Sequence, residues 1–520
     1  MAQFPLIDEA SLAMIPGAYK ESKVYSQLPT DGSGDFTFSR GTDNATIINE
    51  EGLIEKSYEN TLLGSNDWAR DDSSYTITGG EAGYDGTNDA WLVNKLAAAY
   101  FSKDALVLTG VHTISFYAKA GSLDRIFVFI GGEAARFDLT NGTAVSAGGN
   151  PVSQNIELVS GTTDWYRCSI VINKTSTQNF LIKPQNSSNQ DVTGTIYIQD
   201  AQLNQGLVAY PYLETTAAPA YGGITANQPR LNYTGDCPSL LVEESRTNKI
   251  THSEYVNWYI INVSLDRNYG ISPEGVKNSL KLTSLTALGR FQTSIVLPTN
   301  TDFTFSLFIK NVDSAQSLIY GVIDTIQYTV FWNGAEISSV TTGLNYELFG
   351  NGWYRIWEKS QSDSSSLFRI YPDRASGAGS IEIYGLQLEQ ASYPTSYIPT
   401  YGSTQTRAAE TLTATKTLPS EGTLYINVGG TTQPKLSVLG EFFDASTTGN
   451  KVAIAYSATA LKISHNGSIV VDKTGSYDVS SLTEIDLGHD GGTDQADTSI
   501  GEFITFGSFL TTTELNALTQ

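Results

Sequence analysis

The most constraining feature of this sequence is a long stretch that occurs twice in diverged form. Residues 113–119 resemble residues 304–310, and the triplet Trp-Tyr-Arg at 165–167 recurs at 353–355. Further pairs follow in the same order: Trp68 with Trp258, Leu92–Leu96 with Asn278–Leu282, Asn141-Gly142 with Asn333-Gly334, Ile196–Ile198 with Ile381–Ile383, and Gln202-Leu203 with Gln387-Leu388. Because order and spacing are both kept, we predict two copies of one structural module.

Each copy consists of short runs of alternating polar and apolar residues separated by turn residues. This pattern is typical of an antiparallel sandwich or jelly roll. We therefore predict an all-β fold of tandem antiparallel β-sandwiches, with a two-sheet jelly roll in each copy. Trp165 and Trp353 are expected to anchor the interface between the two sheets, and the following Arg to be held by a neighbouring carboxylate or carbonyl. Cys168 stands where the second copy has Ile356, which predicts a buried, unreactive thiol.

Other segments surround the two copies. Residues 36–58 and 229–248 are each predicted to form a hairpin, and a new series of strands begins near Ala408. In the last segment, Thr511 and Glu514 have the spacing of a capping box at the start of a short helix. The predicted regions are 1–35, an N-terminal attachment segment; 36–60, a framing hairpin; 61–215, module 1; 216–250, a framing hairpin and linker; 251–402, module 2; and 403–520, a third sandwich.

Composition narrows the classes of partner. The 520 residues include 31 Lys and Arg against 54 Asp and Glu, a formal net charge of -23. Such a charge repels phosphate backbones and anionic lipid surfaces, so we expect neither nucleic-acid binding nor membrane insertion. The start of the sequence lacks the basic and apolar regions of a signal peptide. The two cysteines and four histidines have no disulfide, metal or catalytic spacing.

Several segments are similar to a family of tailed-phage structural proteins of the tail-fibre or head-fibre type. They are Met14–Lys20, Tyr25–Arg40, Gly52–Glu55, Pro229–Tyr233, Cys237–Glu243, Arg246–Asn248, Ser396–Thr400, Thr406–Glu410 and Leu510–Leu518. The resemblance implies carbohydrate-binding-like jelly rolls followed by a terminal concanavalin- or laminin-G-like sandwich. Here an extra module, at about residues 61–213, separates the framing segments of that family, a departure by duplication.

The resemblance implies a phage virion appendage that attaches to carbohydrate of a host surface or the environment. We expect it to be made in the host cytoplasm, to join other virion proteins through residues 1–35, and to be a homo-oligomer, with a trimer favoured. One alternative is a purely architectural virion protein, such as a capsid-decorating head fibre. Another is an exported adhesin or a polysaccharide depolymerase, but the missing signal peptide weakens it.

An enzymatic function is not expected. The strand sequence Glu484-Ile485-Asp486 resembles the catalytic strand of laminarinase-type glycosidases, in which alternate acids face one cleft. Gly488 and His489 stand where a general acid is needed, so the third acid is missing. We therefore expect no catalytic residues.

Glycan contact calls for exposed aromatic rings. Trp91, Trp332 and Trp357 have no Trp partner in the other copy, so the shared core does not require them, and Tyr84 and Tyr269 are further candidates. Local packing or a subunit contact is the alternative for an unmatched Trp. No cofactor is required by the sequence, but two loops rich in oxygen ligands suggest calcium or an ordinary turn. The candidate ligands are Asp85, Asn88 and Asp89 in one loop and Asp490, Asp494 and Asp497 in the other.

Overall fold

The structure, a computed structural model, is all-β apart from two short helices. It describes residues 6–234, 238–323, 326–362, 365–429, 435–438, 441–444, 450–480, 483–490, 494–495 and 498–520. Its sheets are antiparallel and form three sandwiches, which confirms the predicted fold class. None of the helices in these ranges is long and apolar enough to cross a membrane.

Module 1 is a sandwich of a seven-stranded and a five-stranded sheet. The first contains the Trp-Tyr-Arg triplet and is called the Trp-Tyr-Arg sheet. In spatial order its strands are Ser153–Leu158, Trp165–Lys174, Gly110–Ala120, Gly194–Gln205, Ala90–Lys95, Tyr75–Glu81 and Arg70–Asp71. The other is called the opposite sheet, with strands Phe101–Leu106, Gln178–Gln185, Arg125–Ile130, Glu133–Asp138 and Thr143–Gly148.

Module 2 repeats this arrangement with six strands in each sheet. Its Trp-Tyr-Arg sheet contains Val263–Arg267, Leu280–Ser284, Ser380–Glu389, Asp302–Asn311, Trp353–Gln361 and Leu344–Gly350. Its opposite sheet contains Tyr259–Ile261, Arg290–Val296, Ser365–Tyr371, Gln316–Tyr320, Tyr328–Asn333 and Glu336–Val340.

Hydrogen bonds confirm that the two modules are copies. The amide of Asn60 donates to the carbonyls of Ala201 and Leu213, at 3.1 and 2.7 Å. Asn248 does the same to Leu386 and Ile398, at 3.1 and 2.9 Å. Arg167 donates to the carbonyl of Tyr210, and Arg355 to that of Thr395, as predicted for the Arg of the triplet. Each of these side chains ties its module's closing segment to the sheet.

Strand pairing corrects one part of the sequence alignment. Val93 lies opposite Ile196, and Leu282 lies opposite Ile381. Since Ile196 and Ile381 are equivalent, Val93 and not Leu96 is the counterpart of Leu282. The equivalent strand of module 1 therefore lies three residues earlier in the sequence than the alignment assumed, and a local alternation of apolar residues cannot detect such a shift.

The packing of the Trp-Tyr-Arg strand differs from the prediction in one respect. Trp165 and Trp353 are buried, with 3% and 1% exposed. Their side chains lie on the outer side of the sheet, because side chains alternate along a strand and Cys168 and Ile356 point into the cores between the sheets. The thiol of Cys168 is fully buried, and burial raises its pKa well above the ordinary value. Cys237 lies outside the described residues.

The third sandwich combines three separate parts of the chain. One sheet contains Arg230–Asn232, Ser239–Val242, Thr498–Phe506, Glu421–Gly429, Asn450–Ser457, Ala460–His465 and Ser468–Thr474, and Ala10–Met14 also pairs with Thr498–Phe506. The other contains Tyr19–Lys20, Lys23–Val24, Phe36–Ser39, Thr411–Thr415 and Glu484–Leu487. Leu12, Met14, Phe36 and Phe38 are buried in its core. The sandwich predicted for 403–520 therefore includes residues from the predicted regions 1–35, 36–60 and 216–250.

Short ladders and helices complete the chain. The two-stranded ladders are Thr46–Ile48 with Ile54–Lys56, Tyr58–Asn60 with Ala220–Gly222, Arg246–Asn248 with Gln405–Arg407, Lys435–Val438 with Glu441–Asp444, and His489–Asp490 with Asp494–Gln495. The predicted hairpin of 36–58 is thus limited to its second half. A 3-10 helix covers Ile7–Glu9 and an α-helix covers Thr512–Leu518, where the backbone N–H of Thr511 donates to Glu514 at 2.7 Å in the predicted capping box.

A buried cluster of ionised side chains lies between the third sandwich and module 2, to which it is joined by hydrogen bonds of Arg230 and Glu243 with Ser396. Arg230 lies 2.5 Å from both Glu243 and Glu410, Arg40 lies 2.9 Å from Glu410, and Arg407 lies 2.9 Å from Glu243. Burial acts to raise the pKa of Glu410, but the neighbouring guanidiniums hold it below the ordinary value. Because a buried ion pair is costly to break, the cluster holds these segments in one arrangement.

Candidate functional site

The structure gives most of the predicted glycan-contact aromatics a packing role. Trp332 belongs to the core of module 2, with 9% exposed, and its indole N–H donates to the hydroxyl of Ser317 at 3.0 Å. A core ring has no free face for a sugar, which corrects the interpretation of Trp332. Trp91 is half-buried against the core of module 1 and donates to the carbonyl of Asn66 at 2.9 Å. Tyr84 stacks on Tyr117 with 3.7 Å between ring centroids.

Trp357 and Tyr269 have no ring contact with another aromatic side chain of the described residues. Trp357 is half-buried on the outer side of the Trp-Tyr-Arg sheet of module 2, opposite Ser306 and Asn345. Tyr269 is 37% exposed, and the ammonium of Lys281 lies 4.5 Å from its ring centroid. Neither residue belongs to a row of aromatic side chains on a sheet. Their role in glycan contact stays a prediction.

The first calcium loop is closed by its own hydrogen bonds. Asp85 accepts from the hydroxyl of Thr87 at 2.6 Å, and Asp89 accepts from the amide of Gln199 at 2.6 Å. Hydrogen bonds from Thr87 and Gln199 hold the pKa of Asp85 below its ordinary value although burial acts to raise it. Within the described ranges no three His, Cys, Asp or Glu side chains are grouped as metal ligands, and Asn88 is exposed. The side chains of Asp490 and Asp494 and the whole of Asp497 lie outside the described residues.

In the strand Glu484–Leu487 of the third sandwich, one acid faces solvent and the other lies opposite a residue of the neighbouring strand. Glu484 is exposed, and Asp486 is half-buried and lies opposite Thr413. The intervening Ile485 is buried in the sandwich core. The two acids therefore share the outer side of the sheet.

The opposite sheet of module 1 has a row of aromatic and cationic side chains on its outer side. Strand pairing places Lys183 opposite Phe127 and Phe127 opposite Arg136, and Tyr100 precedes Phe101, the partner of Ile182. The row thus runs Tyr100, Lys183, Phe127, Arg136. The ring centroids of Tyr100 and Phe127 are 6.1 Å apart, and the ammonium of Lys183 lies 4.4 Å from the ring centroid of Tyr100. Together with Phe129 and Leu181 of the next row, these side chains are called the module 1 face.

None of the apolar side chains of the module 1 face belongs to a buried core. Tyr100 is 40% exposed, and Phe127, Phe129 and Leu181 are half-exposed, whereas the alternate residues Ile126, Val128 and Ile130 fill the core. The sandwich does not need aromatic residues at these outward positions. An apolar patch on the outer side of a sheet is typical of a binding surface.

The cations of the module 1 face and the adjacent Arg125 are mostly paired. Arg125 lies 3.0 Å from Asp138, and Lys183 lies 3.2 Å from Asp191. The guanidinium of Arg136 donates to the amide oxygen of Gln185 at 3.1 Å. Burial, with a smaller effect from Arg125, lowers the pKa of Arg136. The face is therefore close to neutral, with amide and guanidinium groups beside its rings.

The opposite sheet of module 2 has a related surface at equivalent positions. Phe101 and Phe291 are counterparts, because each packs against the Trp68 or Trp258 of its own copy and pairs with Ile182 or Ile370. The first row therefore runs Arg290, Tyr371, Leu318, Thr329, and the second contains Gln292, Arg369 and Tyr320. These residues and Arg374 are called the module 2 face.

The module 2 face has arginines stacked on tyrosines. The guanidinium carbon of Arg369 lies 4.9 Å from the ring centroid of Tyr320. The guanidinium carbon of Arg374 lies 5.9 Å from the ring centroid of Tyr371. The two rings are 5.8 Å apart and nearly buried, with 8% and 7% exposed. The tyrosines therefore form a floor on which the guanidiniums lie.

A separate cleft of about 510 Å³ lies where module 2 meets the third sandwich. Tyr233, Phe308, Phe349, Glu243 and Arg355 are among its lining residues. Glu243 is engaged by Arg230, Arg407 and Ser396, and Arg355 by the carbonyl of Thr395. Its charged groups thus hold the joint together, and the two sheet faces are the better candidates for ligand contact.

Neither face was predicted from the sequence. The predicted contact residues were three Trp present in only one copy, with Tyr84 and Tyr269, whereas the rings of the faces belong to other Tyr and Phe residues and lie beside Arg. One signal was available: in Arg125–Ile130 the residues Phe127 and Phe129 alternate with Ile126, Val128 and Ile130, so the strand is apolar on both sides. Such a strand has a covered or a functional second side.

Comparison with known proteins gives no family for the chain. No family model matches it, and no curated protein matches it. Among solved structures it is similar to the N-terminal CBM22-1-CBM22-2 tandem domain of Xyn10C from Paenibacillus barcinonensis, with 10% identity over 68% of this chain and 97% of that chain, at a TM-score of 0.19. It is also similar to an anti-sigma factor domain-containing protein, with 9% identity over 67% and 98%, at a TM-score of 0.14.

Proposed function

We propose that the chain is a non-enzymatic virion appendage that binds carbohydrate through its two modules. The observation that carries the binding function is the module 1 face, where Tyr100, Phe127 and Phe129 lie outside every core cluster on a regular sheet. The resemblance of the framing segments to tailed-phage structural proteins supports the virion role.

The chemistry of the module 1 face suits a sugar. The apolar C–H side of a pyranose can pack on Tyr100 and Phe127, and its hydroxyls can bond to neighbouring polar groups such as Gln185 and Arg136. Stacking without a deep pocket gives weak affinity at each site. Two modules in one chain, multiplied in a homo-oligomer such as a trimer, would convert weak sites into strong attachment.

Binding without cleavage is part of this proposal. Glu484 and Asp486 resemble the alternate acids of a glycosidase strand, but Gly488 stands where a further acid would be needed. We expect the purified protein to retain polysaccharide without releasing new reducing ends.

The test is retention of the protein on a panel of immobilised polysaccharides. Phe127→Ala and Tyr100→Ala should each lower the affinity of the retained glycan about tenfold, because each removes one stacking surface. Tyr221→Ala is the matched control, since Tyr221 is 54% exposed on a framing strand away from the face. An equal loss in Tyr221→Ala, or no loss in Phe127→Ala, would contradict the proposed surface.

A purely architectural virion protein is the second candidate. The observation that favours it is the buried cluster of Arg40, Arg230, Arg407, Glu243 and Glu410, which fixes the third sandwich against module 2. A spacer needs such a fixed joint. Absence of retention on every polysaccharide of the panel would favour this candidate.

A further inference from the structure

We propose that the module 2 face binds an acidic saccharide, one whose rings bear carboxylate groups. This inference rests on the proposed function and assigns a ligand class to the second module. It starts from three arginines, Arg290, Arg369 and Arg374, that lie together on the outer side of the opposite sheet.

These three arginines have no carboxylate partner among the residues that the structure describes. Arg290 donates to the amide oxygen of Gln292 at 2.6 Å, and Arg374 donates to the carbonyl of Ala287 at 3.1 Å. Arg369 contacts the ring of Tyr320. In a chain with 54 acidic and 31 basic residues, a group of three cations without an ion-pair partner among the described residues is a local exception.

The carboxylate nearest in sequence is already engaged. Asp373 precedes Arg374 and is 1% exposed. Its oxygens accept from the backbone N–H groups of Ala375, Ser376 and Gly379, at 2.8, 3.0 and 3.0 Å. Asp373 thus shapes its own turn, and the guanidinium of Arg374 extends from that turn toward the tyrosine floor, exposed to solvent.

The tyrosine floor orients the guanidiniums before a ligand arrives. A planar guanidinium that lies against an aromatic ring keeps its N–H groups at its edge, directed away from the ring. Because Arg369 lies over Tyr320 and Arg374 also donates to the carbonyl of Ala287, less side-chain entropy is lost on binding than for two unconstrained arginines. Their edges are then available to an anion above the sheet.

A carboxylate fits these groups better than a neutral hydroxyl does. Guanidinium and carboxylate are both planar and can form two parallel hydrogen bonds, which are charge-assisted. The net charge of -23 repels polyanions at long range, so only a ligand that reaches the arginines gains from its charge. An acidic polysaccharide supplies such carboxylates on each of its rings.

The test compares polygalacturonate with its fully methyl-esterified form, which has the same rings without the charge. The full-length protein should bind the acid form at least about tenfold more tightly, and this preference should weaken as salt is raised. The variant Arg369→Gln with Arg374→Gln should abolish the preference. Arg374→Gln alone serves as a second variant, because its side chain is exposed and its loss leaves the sheet intact. Arg70→Gln, which removes an exposed arginine paired with Asp72, is the control with the same charge change per site.

The outcomes separate this inference from the proposed function. If Phe127→Ala lowers binding of both polymers while the acid form has no advantage, glycan binding stands and the acidic ligand is excluded. If Arg70→Gln lowers the preference as much as Arg374→Gln, the effect is general electrostatics and the inference fails. The inference would also be overturned if double-stranded DNA bound the module 2 face as tightly as polygalacturonate does, because the ligand would then be any polyanion. The inference is supported if the preference for polygalacturonate over its methyl ester disappears only when the arginines of the module 2 face are replaced.

Discussion

The two modules share an internal frame but present different chemistry on their opposite sheets. Asn60 and Asn248 make the same hydrogen bonds, and Arg167 and Arg355 hold equivalent carbonyls. On the faces, aromatic and cationic residues exchange places at two positions, where Tyr100 corresponds to Arg290 and Lys183 to Tyr371. At two others module 2 has neither type: Phe127 corresponds to Leu318 and Arg136 to Thr329. The frame fixes where outward side chains lie, and the faces diverge without cost to the core.

The outer sides of the two Trp-Tyr-Arg sheets also differ in what covers them. In module 2 the framing hairpin covers the side that holds Trp353, and Ile54 packs against that cluster. In module 1 a loop of the same module covers Trp165, and Tyr84 packs there. Two equivalent surfaces are thus closed by a different segment in each copy. The first two predictions test these two covers.

The largest loss of stability is expected when the hairpin that covers Trp353 in module 2 loses its buried ion pairs. The ammonium of Lys56 lies 2.5 Å from Glu254 and also contacts Glu274, and all three side chains are buried. Lys56→Met leaves two neighbouring buried carboxylates without a cation. We expect a loss of about 3–5 kcal/mol in the stability of this joint. Hydrogen exchange of the strands Thr46–Ile48 and Ile54–Lys56 should become faster in the variant.

Two further variants sharpen this prediction. Glu254→Gln in the Lys56→Met background removes one of the unpaired charges and should restore part of the protection, which two independent effects would not do. Lys359→Met removes the exposed pair with Asp302 and should cost no more than about 1 kcal/mol. Equal losses in Lys56→Met and Lys359→Met would show that the buried pair does not hold the hairpin.

A medium effect is expected for the loop cover of module 1. In that loop cover, Asp200 accepts a hydrogen bond from the hydroxyl of Tyr84 at 2.9 Å. The equivalent residue of module 2 is Gly385, and the backbone φ angles of Asp200 and Gly385 are both positive, 45° and 60°. Burial, with smaller effects from Asp89 and Asp85, raises the pKa of Asp200 from 3.8 to about 6. Between these values the folded protein holds a proton that the unfolded chain has released, so this group makes stability fall as pH rises from about 4 to about 6.

Asp200→Asn should remove this dependence. Asn keeps an acceptor for Tyr84, tolerates the left-handed backbone and carries no charge. We expect the variant to gain about 2–3 kcal/mol in module 1 stability above pH 6 and little below pH 4, since the pKa is raised by about two units and one unit corresponds to about 1.4 kcal/mol. Thermal unfolding from pH 4 to 8 measures the difference between the two proteins. A difference that does not change with pH would exclude Asp200 as its source.

The sequence predicted those features that leave a local or periodic signal. The repeat, the all-β fold, burial of Cys168 and the capping box of Thr511 and Glu514 follow from spacing and residue type. A third sandwich was predicted from the strands after Ala408, but its N-terminal part could not be, because the pairing of Ala10–Met14 with Thr498–Phe506 joins distant residues and leaves no local mark. The faces were missed for a different reason: exchange of aromatic and cationic residues makes the equivalent positions look unrelated.

The smallest effect is expected from transferring one face residue between the modules. Leu181 occupies the position of Arg369, and it lies opposite Phe129 as Arg369 lies opposite Tyr320. Leu181→Arg should place a guanidinium beside Phe129 and raise the affinity of module 1 for polygalacturonate about threefold over the methyl ester, because a partly exposed charge contributes roughly 0.6 kcal/mol. The measurement is made in the Arg369→Gln and Arg374→Gln background, so that module 2 adds no preference. Leu181→Gln is the matched polar control. If both substitutions change binding equally, position 181 does not set the ligand charge, and the divergence of the two faces must be explained by other positions.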